Sequence, residues 1–157
     1  MAKFYTVAFR QQAEAQFGAR QATEVATRAA ASARRQLMRS PIQTQHAFEH
    51  LSDHFRLNPS KPAHGVFLAT YQQPAELTKL LLKAIDRPGT EPMLSKSDDN
   101  DWAVVIQSWF GAGNPIGFSG TGPARRDLTY LMILVDLNGD LITAYPTAGY
   151  QRPGNRV

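Results

Sequence analysis

The sequence contains no cysteine, which excludes disulfides, thiolate metal sites and a cysteine nucleophile. It also lacks any apolar run of roughly 18 residues, and no apolar signal core follows its first residues. We therefore expect neither a membrane span nor a signal peptide in this sequence. Acid–base or covalent chemistry has to rely on His, Ser, Thr, Tyr, Lys or carboxylates.

The positive charge of the chain is concentrated near its beginning. The 157 residues have a formal net charge of +4, whereas residues 1–40 hold seven Arg or Lys and two Glu, a net +5. The rest of the chain therefore has a net charge of −1. Such a basic segment either attracts a polyanion such as RNA, through phosphate contacts and counterion release, or forms the solvated face of a helix. The sequence leaves both interpretations open.

The N-terminal half carries the patterns of α-helices. Residues 11–38 lack proline and repeat apolar residues at intervals of three and four, which predicts an amphipathic helix within the basic segment 1–40. A second helix is predicted over residues 42–55. A third begins at Pro74, because proline suits the first turn of a helix. The segment 41–90 is thus predicted to be helical and to carry all the histidines.

The C-terminal half carries the patterns of strands. Residues 102–110 are rich in aromatic and β-branched residues and predict a strand, with a helix as the alternative. Residues 128–135 form a nearly continuous apolar run, as in a central strand covered on both faces. Asn138-Gly139 then predicts a tight turn into a return strand. We therefore predict a single α+β domain over residues 1–157, with N-terminal helices packed on a curved antiparallel β-sheet formed by residues 101–146.

Two connecting segments are predicted to be loops. Residues 89–101 are polar and acidic, and residues 119–127 are rich in glycine and proline after a short strand at 116–118. Arg125 and Arg126 end the second loop, where guanidinium and backbone groups can approach the phosphate of a substrate. A plain surface loop is the alternative.

The predicted hairpin sets the register of the last two strands. If Asn138-Gly139 occupies the centre of a two-residue turn, the side chains of Thr143 and Tyr145 emerge together on one face of the sheet. Ile142 and Ala144 then point to the opposite face. The predicted pairs are Leu137 with Asp140, Leu134 with Thr143, and Met132 with Tyr145.

Four histidines, His46, His50, His54 and His64, fall within nineteen residues. The first three form one stripe on the predicted second helix, and histidine is suited to proton transfer near neutral pH. Metal binding is an alternative, but Ala47 follows His46 where the helical zinc-protease signature has glutamate. We therefore expect no metal. Each histidine taken alone is also compatible with a purely structural place on an amphipathic helix.

Residues 131–146 resemble the C-terminal hairpin of bacterial polymorphic-toxin ribonucleases, in which a strand, a turn and a Thr-x-Tyr-Pro ending recur. Two related groups are similar: the barnase/EndoU/colicin/RelE superfamily and the RNase A-like toxin domains of contact-dependent inhibition proteins. The segment 48–53, in which Asp53 follows His50 after two residues, looks like a helix of several of these toxins. The resemblance covers about residues 46–146.

This resemblance implies helices before a curved antiparallel sheet and cleavage of RNA without a metal or other cofactor. It implies that His50 is the catalytic base or acid and that Thr143 and Tyr145 surround the scissile phosphate. His54 and His64 remain alternatives for the acid–base role.

The resemblance also implies a biological context. The chain would be a monomeric toxin domain at the end of a larger secreted or contact-delivered protein, and it would act in the cytoplasm of the target cell. It would cleave RNA by attack of the 2′-hydroxyl to give a cyclic phosphate, and a cognate, acidic immunity protein would cover its cleft. The alternative function is a non-catalytic RNA- or protein-binding module that uses the basic N-terminal helix. A metal-dependent hydrolase is a third option.

Overall fold

The computed structural model describes residues 7–89, 91–96 and 101–150, with side chains from residue 12 onward. The described chain forms four α-helices, α1 (Val7–Phe17), α2 (Ala19–Arg39), α3 (Phe48–Leu51) and α4 (Pro74–Asp86). Its seven strands are β1 (Val66–Phe67), β2 (Met93–Lys96), β3 (Trp102–Trp109), β4 (Gly117–Ser119), β5 (Arg126–Leu128), β6 (Tyr130–Asp136) and β7 (Leu141–Thr147). The predicted α+β class, with N-terminal helices packed on antiparallel sheet, is confirmed.

The basic N-terminal segment contains two helices rather than one. Gly18 separates α1 from α2 with a φ of 77°, a left-handed conformation that glycine adopts easily and that an α-helix cannot continue through. The apolar face predicted for α2 is confirmed, since its small residues pack into the core while its arginines remain at the surface. The buried residues of α2 are Ala26, Ala29, Ala30, Ala33 and Leu37.

The main sheet has four antiparallel strands in the order β2-β3-β6-β7. Helices α1, α2 and α4 lie against one face, where Leu81, Ile106 and Ile133 belong to the main hydrophobic core. Every residue from 131 to 135 is buried, because β6 has a neighbouring strand on each side and side chains packed on both faces. The prediction of a central strand here is therefore confirmed.

The predicted loops each contain a strand. Met93–Lys96 pairs with the start of β3, and Arg126–Leu128 pairs with β4 in a second sheet of order β1-β4-β5. The loop prediction is wrong for these residues, because each strand is one arm of a short hairpin, in which Lys96 pairs with Trp102 and Arg126 pairs with Ser119. The polar character of the segments concealed these strands. The acidic stretch at 97–100 lies outside the described residues.

The hairpin between β6 and β7 has the predicted register along most of its length. Leu134 pairs with Thr143 and Met132 pairs with Tyr145, as expected. The turn itself begins one residue earlier than predicted, because the Gly139 N–H donates to the carbonyl of Asp136 at 3.0 Å.

The shifted turn overturns two details of the prediction. Asp136 rather than Leu137 is bonded across the turn to Asp140, and its carboxylate accepts hydrogen bonds from two turn N–H groups. A register shift between Leu134 and Val135 compensates for the earlier turn, so that the pairs from Leu134 toward Tyr130 are again the predicted ones. As a result, Ile142 packs in the same cluster as Tyr145 instead of pointing to the opposite face, whereas Ala144 lies in the main core as predicted.

The predicted second helix, over residues 42–55, is wrong. The chain forms a 3-10 turn at Ile42–Thr44, the four-residue α3, and a second 3-10 turn at Ser52–Phe55. Gln45 is extended, with φ −81° and ψ 141°, and this breaks the helix before His46. The stripe of three histidines at helical spacing therefore does not form.

The small sheet and α3 both lie beside β7, the edge strand of the main sheet. Gly65 is buried against β7 so closely that a Cβ atom there would overlap the carbonyl oxygen of Pro146. Pro146 is tolerated because an edge strand has one side that needs no N–H donor. None of the described helices is long and apolar enough to cross a bilayer.

Candidate active site

His54 and His64 are brought together by the loop between the second 3-10 turn and β1. A turn at Asn58 and Lys61, with backbone bonds Lys61 N–H to Asn58 O and His64 N–H to Lys61 O, reverses the chain. The side-chain amide of Gln72 holds the two ends of this loop together, since it donates to the carbonyls of Phe55 (3.2 Å) and Phe67 (3.0 Å).

The two histidines are held by reciprocal hydrogen bonds to the backbone. Nδ1 of His54 lies 2.8 Å from the carbonyl oxygen of Gly65, and Nε2 of His64 lies 3.0 Å from the carbonyl oxygen of Asp53. Each histidine thus bonds to the residue adjacent to the other in sequence. We call this arrangement the histidine clamp, formed by His54, His64 and these two carbonyls.

The clamp fixes which nitrogen of each ring carries a proton. A carbonyl oxygen only accepts hydrogen bonds, so Nδ1 of His54 and Nε2 of His64 must be the donors. In the neutral rings, Nε2 of His54 and Nδ1 of His64 are then the acceptor atoms. Neither atom has a hydrogen-bond partner among the residues that the structure describes.

Tyr145 completes a stack of three rings. The imidazole of His54 lies between the ring of His64, with centroids 4.3 Å apart and planes 14° apart, and the phenol ring of Tyr145, with centroids 4.8 Å apart and planes 18° apart. β7 presents Tyr145 on the sheet face opposite the main core, where it also packs on Met132 and Leu134. The sheet thus supplies a rigid wall for the histidine clamp.

Burial lowers the pKa of His54 to about 4. The hydrogen bond to Gly65 and the charge of Asp53 oppose this shift, while His64 and Lys61 contribute to it as nearby positive charges. His54 is therefore a neutral imidazole near pH 7. Its Nε2 carries no proton and is the acceptor atom of the ring, and the same burial makes it a weaker base than a free imidazole.

Burial also raises the pKa of Tyr145 to about 12, so the phenol keeps its proton near neutral pH and can act as a hydrogen-bond donor. Its hydroxyl has no hydrogen-bond partner within the described part of the chain. Thr143, half-buried and two residues earlier on β7, was predicted to share this face, and its pairing with Leu134 agrees with that placement.

His50 and His46 lie outside the ring stack. Both are exposed, and their rings meet edge to face with centroids 6.3 Å apart. Of the histidines considered from sequence, the structure therefore groups His54 and His64 with Tyr145, and it separates His50 from them.

Arg125 and Arg126 are exposed residues at the small sheet. The guanidinium of Arg125 lies 4.0 Å from the centre of the Phe118 ring, a cation–π contact, and Arg126 begins β5. The hydrogen bonds, ion pairs and ring contacts between described residues do not connect either arginine to the histidine clamp. Their predicted role in binding substrate stays a prediction.

Sequence reasoning missed Gly65, whose carbonyl orients His54 and whose missing side chain allows contact with β7. A signal was present: Asn58-Pro59-Ser60-Lys61-Pro62 is a strong turn sequence between two histidines, and a turn there brings them together. The turn itself is evident from the sequence, but the predicted helix over residues 42–55 placed His54 on a stripe with His46 and His50 instead of beside His64.

No group of three or more His, Asp or Glu among the described residues is arranged to hold a metal ion. Comparison with protein-family models, with curated proteins and with solved structures finds no match. Any function assigned to this site therefore rests on its geometry and chemistry.

Proposed function

We propose that the chain is a metal-independent endoribonuclease that acts as a bacterial toxin, with His54 and His64 as its acid–base pair. The observation that carries this proposal is the histidine clamp: two imidazoles stacked 4.3 Å apart, each with one nitrogen fixed by a backbone carbonyl and the other nitrogen available. Metal-free cleavage of RNA requires one proton acceptor and one proton donor near the same phosphate.

His54 is suited to the role of base. With Nδ1–H held by Gly65, its Nε2 accepts the proton of the RNA 2′-hydroxyl as that oxygen attacks phosphorus. The bond between phosphorus and the 5′-oxygen breaks, and His64 in its protonated form donates a proton to the leaving oxygen. The products are a 2′,3′-cyclic phosphate and a 5′-hydroxyl, and proton exchange with water restores both rings.

Tyr145 and Thr143 are suited to support the reacting phosphate. The phenol of Tyr145 remains protonated near pH 7 because burial raises its pKa to about 12, so it can donate a hydrogen bond to a non-bridging oxygen. The hydroxyl of Thr143, two residues earlier on β7, is a second hydrogen-bond donor on the same strand. Charge that develops on the phosphate during attack is stabilised by such fixed donors.

The distribution of charge favours RNA as the substrate. The chain is basic, with its positive charge concentrated in residues 1–40, and the arginines of α2 are exposed. Long-range attraction of this kind raises the local concentration of a polyanion and makes binding weaken as salt increases. The resemblance to toxin ribonucleases points to the same substrate class, and with it to delivery by a larger protein and to an acidic immunity protein.

The test is cleavage of a labelled single-stranded RNA in the presence of a strong chelator. We expect cleavage in the chelator, a cyclic phosphate product, and no cleavage of the all-deoxy oligonucleotide. His54→Ala and His64→Ala should each lower the rate by about 10²-fold or more. His46→Ala, which alters an exposed histidine outside the stack, is the matched control and should retain the wild-type rate.

The outcomes separate the candidate functions. Cleavage that stops in the chelator and returns with a divalent ion would overturn the proposal in favour of a metal-dependent hydrolase. Binding of RNA without cleavage would favour the non-catalytic module. If His50→Ala loses activity while His54→Ala keeps it, the acid–base role returns to the residue implied by the sequence resemblance.

A further inference from the structure

Three aromatic side chains form a partly exposed cluster at the far end of the main sheet. Trp109 ends β3 and lies parallel to Tyr130 of β6, with centroids 6.0 Å apart and planes 22° apart. Tyr150, just beyond β7, contacts Tyr130 edge to face at 4.9 Å. Trp109 is 51% exposed and Tyr150 is 38% exposed, which places both among the few exposed large hydrophobic residues of the described part of the chain. We call these three residues the aromatic cluster.

The aromatic cluster shares a sheet face with the proposed active site. Along β6, Tyr130 lies two residues from Met132, and Met132 pairs with Tyr145. Because side chains alternate between faces along a strand, Tyr130 and Met132 point to the same side, about 7 Å apart along the strand. Trp109 pairs with Tyr130 and therefore belongs to this side as well.

Backbone contacts hold the aromatic cluster in place. The N–H of Gly89 donates to the carbonyl of Gln107 at 2.9 Å, and the hydroxyl of Ser108 donates to the carbonyl of Arg87 at 2.8 Å. These bonds fix residues 87–89 beside the end of β3. A Cβ on Gly89 would overlap the Tyr150 hydroxyl, so the missing side chain leaves room for the phenol. Arg87, whose backbone lies beside the end of β3, is exposed.

The polar edge of the tryptophan is already occupied. Its indole N–H donates to the hydroxyl of Thr129 at 3.2 Å, so the ring offers a flat surface rather than a hydrogen-bond donor. A flat aromatic surface with an exposed arginine on the neighbouring segment suits a planar ring on an anionic backbone, which is the chemistry of a nucleotide. Recognition by stacking tolerates any base, because every base has a π-face.

We propose that the aromatic cluster is a stacking subsite for a nucleobase of single-stranded RNA, one that positions a nucleotide neighbouring the phosphate cleaved beside His54. This inference rests on the proposed function and adds a substrate-binding site to it. Trp109 and Tyr150 bind the base, Tyr130 supports them from beneath, and the histidine clamp performs the chemistry.

Tryptophan fluorescence tests the binding directly. The chain has two tryptophans, so Trp102→Phe leaves Trp109 as the only reporter. The probe is a single-stranded 2′-O-methyl oligonucleotide, which lacks the attacking hydroxyl. We expect it to quench Trp109, and we expect Tyr150→Ala to weaken its binding about tenfold. Inorganic polyphosphate carries the charge without bases and should not quench. Equal quenching by polyphosphate, or unchanged affinity in Tyr150→Ala, would overturn the subsite.

Kinetics separate this proposal from the proposed function. Trp109→Leu and Tyr150→Ala should each raise KM about tenfold and leave kcat nearly unchanged, as expected for a group that binds the substrate and its transition state equally. If the wild-type protein cleaves RNA and both variants keep its KM, only the subsite is rejected. If the oligonucleotide quenches Trp109 but the wild-type protein cleaves no RNA, the subsite stands and the ribonuclease proposal fails.

Discussion

The imidazole of His54 lies parallel to the phenol ring of Tyr145, with centroids 4.8 Å apart and planes 18° apart. Each ring removes water from the other, and loss of water disfavours the charged form of both groups. The pKa of His54 falls to about 4 and the pKa of Tyr145 rises to about 12. Both side chains are therefore uncharged at neutral pH, one as a proton acceptor and the other as a proton donor.

The lowered pKa of His54 predicts a stability that decreases in mild acid. In the unfolded chain a histidine binds its proton near pH 6.5, whereas folded His54 does so only near pH 4. Between these values the unfolded state binds more protons, so the free energy of unfolding falls as pH falls from about 6.5 to about 4. The full difference is about 3 kcal/mol. Urea unfolding at a series of pH values measures it.

A variant without the titrating group provides the control for this pH dependence. His54→Phe keeps an aromatic ring beside Tyr145 but binds no proton, so its free energy of unfolding should vary less between pH 4 and 6.5. An identical pH profile in both proteins would show that other groups are responsible.

Gly65→Ala should displace the carbonyl group that orients His54 in the histidine clamp. The added Cβ would overlap the carbonyl oxygen of Pro146, and the displaced Gly65 carbonyl would no longer hold Nδ1 of His54 in place. We expect a loss of about 1–3 kcal/mol in stability, typical of overpacking, and a lower rate of RNA cleavage at a pH where the protein is fully folded. Gly149→Ala is the control, because a Cβ there meets no atom within 4 Å. Equal behaviour of the two variants would contradict the close contact with β7.

Tyr145→Phe separates a chemical role of the phenol from a structural one. The hydroxyl has no hydrogen-bond partner among the described residues, so removing it should change the melting temperature little. If it donates to the substrate phosphate, turnover should fall by about 10-fold or more. Tyr71→Phe, another partly buried tyrosine but in the main core, should leave turnover unchanged. Unchanged turnover in Tyr145→Phe would remove the phenol from the mechanism.

The sequence predicted those features that depend on local pattern. The apolar face of α2, the start of α4 at Pro74, the central strand β6 and the pairing of Tyr145 with Met132 follow from periodicity and turn chemistry. The histidine clamp was not predicted, because it depends on a reversal of the chain between His54 and His64 and on the carbonyl of Gly65. The break at Gln45 was not predicted either, since the residues on both sides of it favour a helix. β2 was missed for a different reason, since its short apolar part lies among polar residues and its strand conformation depends on pairing with β3.

The contact between the β6–β7 hairpin and α2 gives a last prediction. Ser32 Oγ donates to the carbonyl of Asn138 at 2.6 Å, and the next residue, Gly139, has a φ of 88°. A Cβ at Gly139 would lie 2.6 Å from the backbone nitrogen of Ala33, so Gly139→Ala meets both an unfavourable backbone conformation and a steric overlap.

Gly113 supplies a matched comparison for Gly139. Its φ is 82°, but a Cβ there meets nothing within 4 Å, so Gly113→Ala carries only the backbone penalty of about 1–2 kcal/mol. We expect the free energy of unfolding of Gly139→Ala to be lower than that of Gly113→Ala by about 1–3 kcal/mol, the usual cost of overpacking. Urea unfolding of both variants measures this difference. Because α2 and the hairpin turn are separate from the histidine clamp, both variants should cleave RNA at the wild-type rate while folded. Equal destabilisation by the two substitutions would show that the hairpin does not rest on α2 in solution.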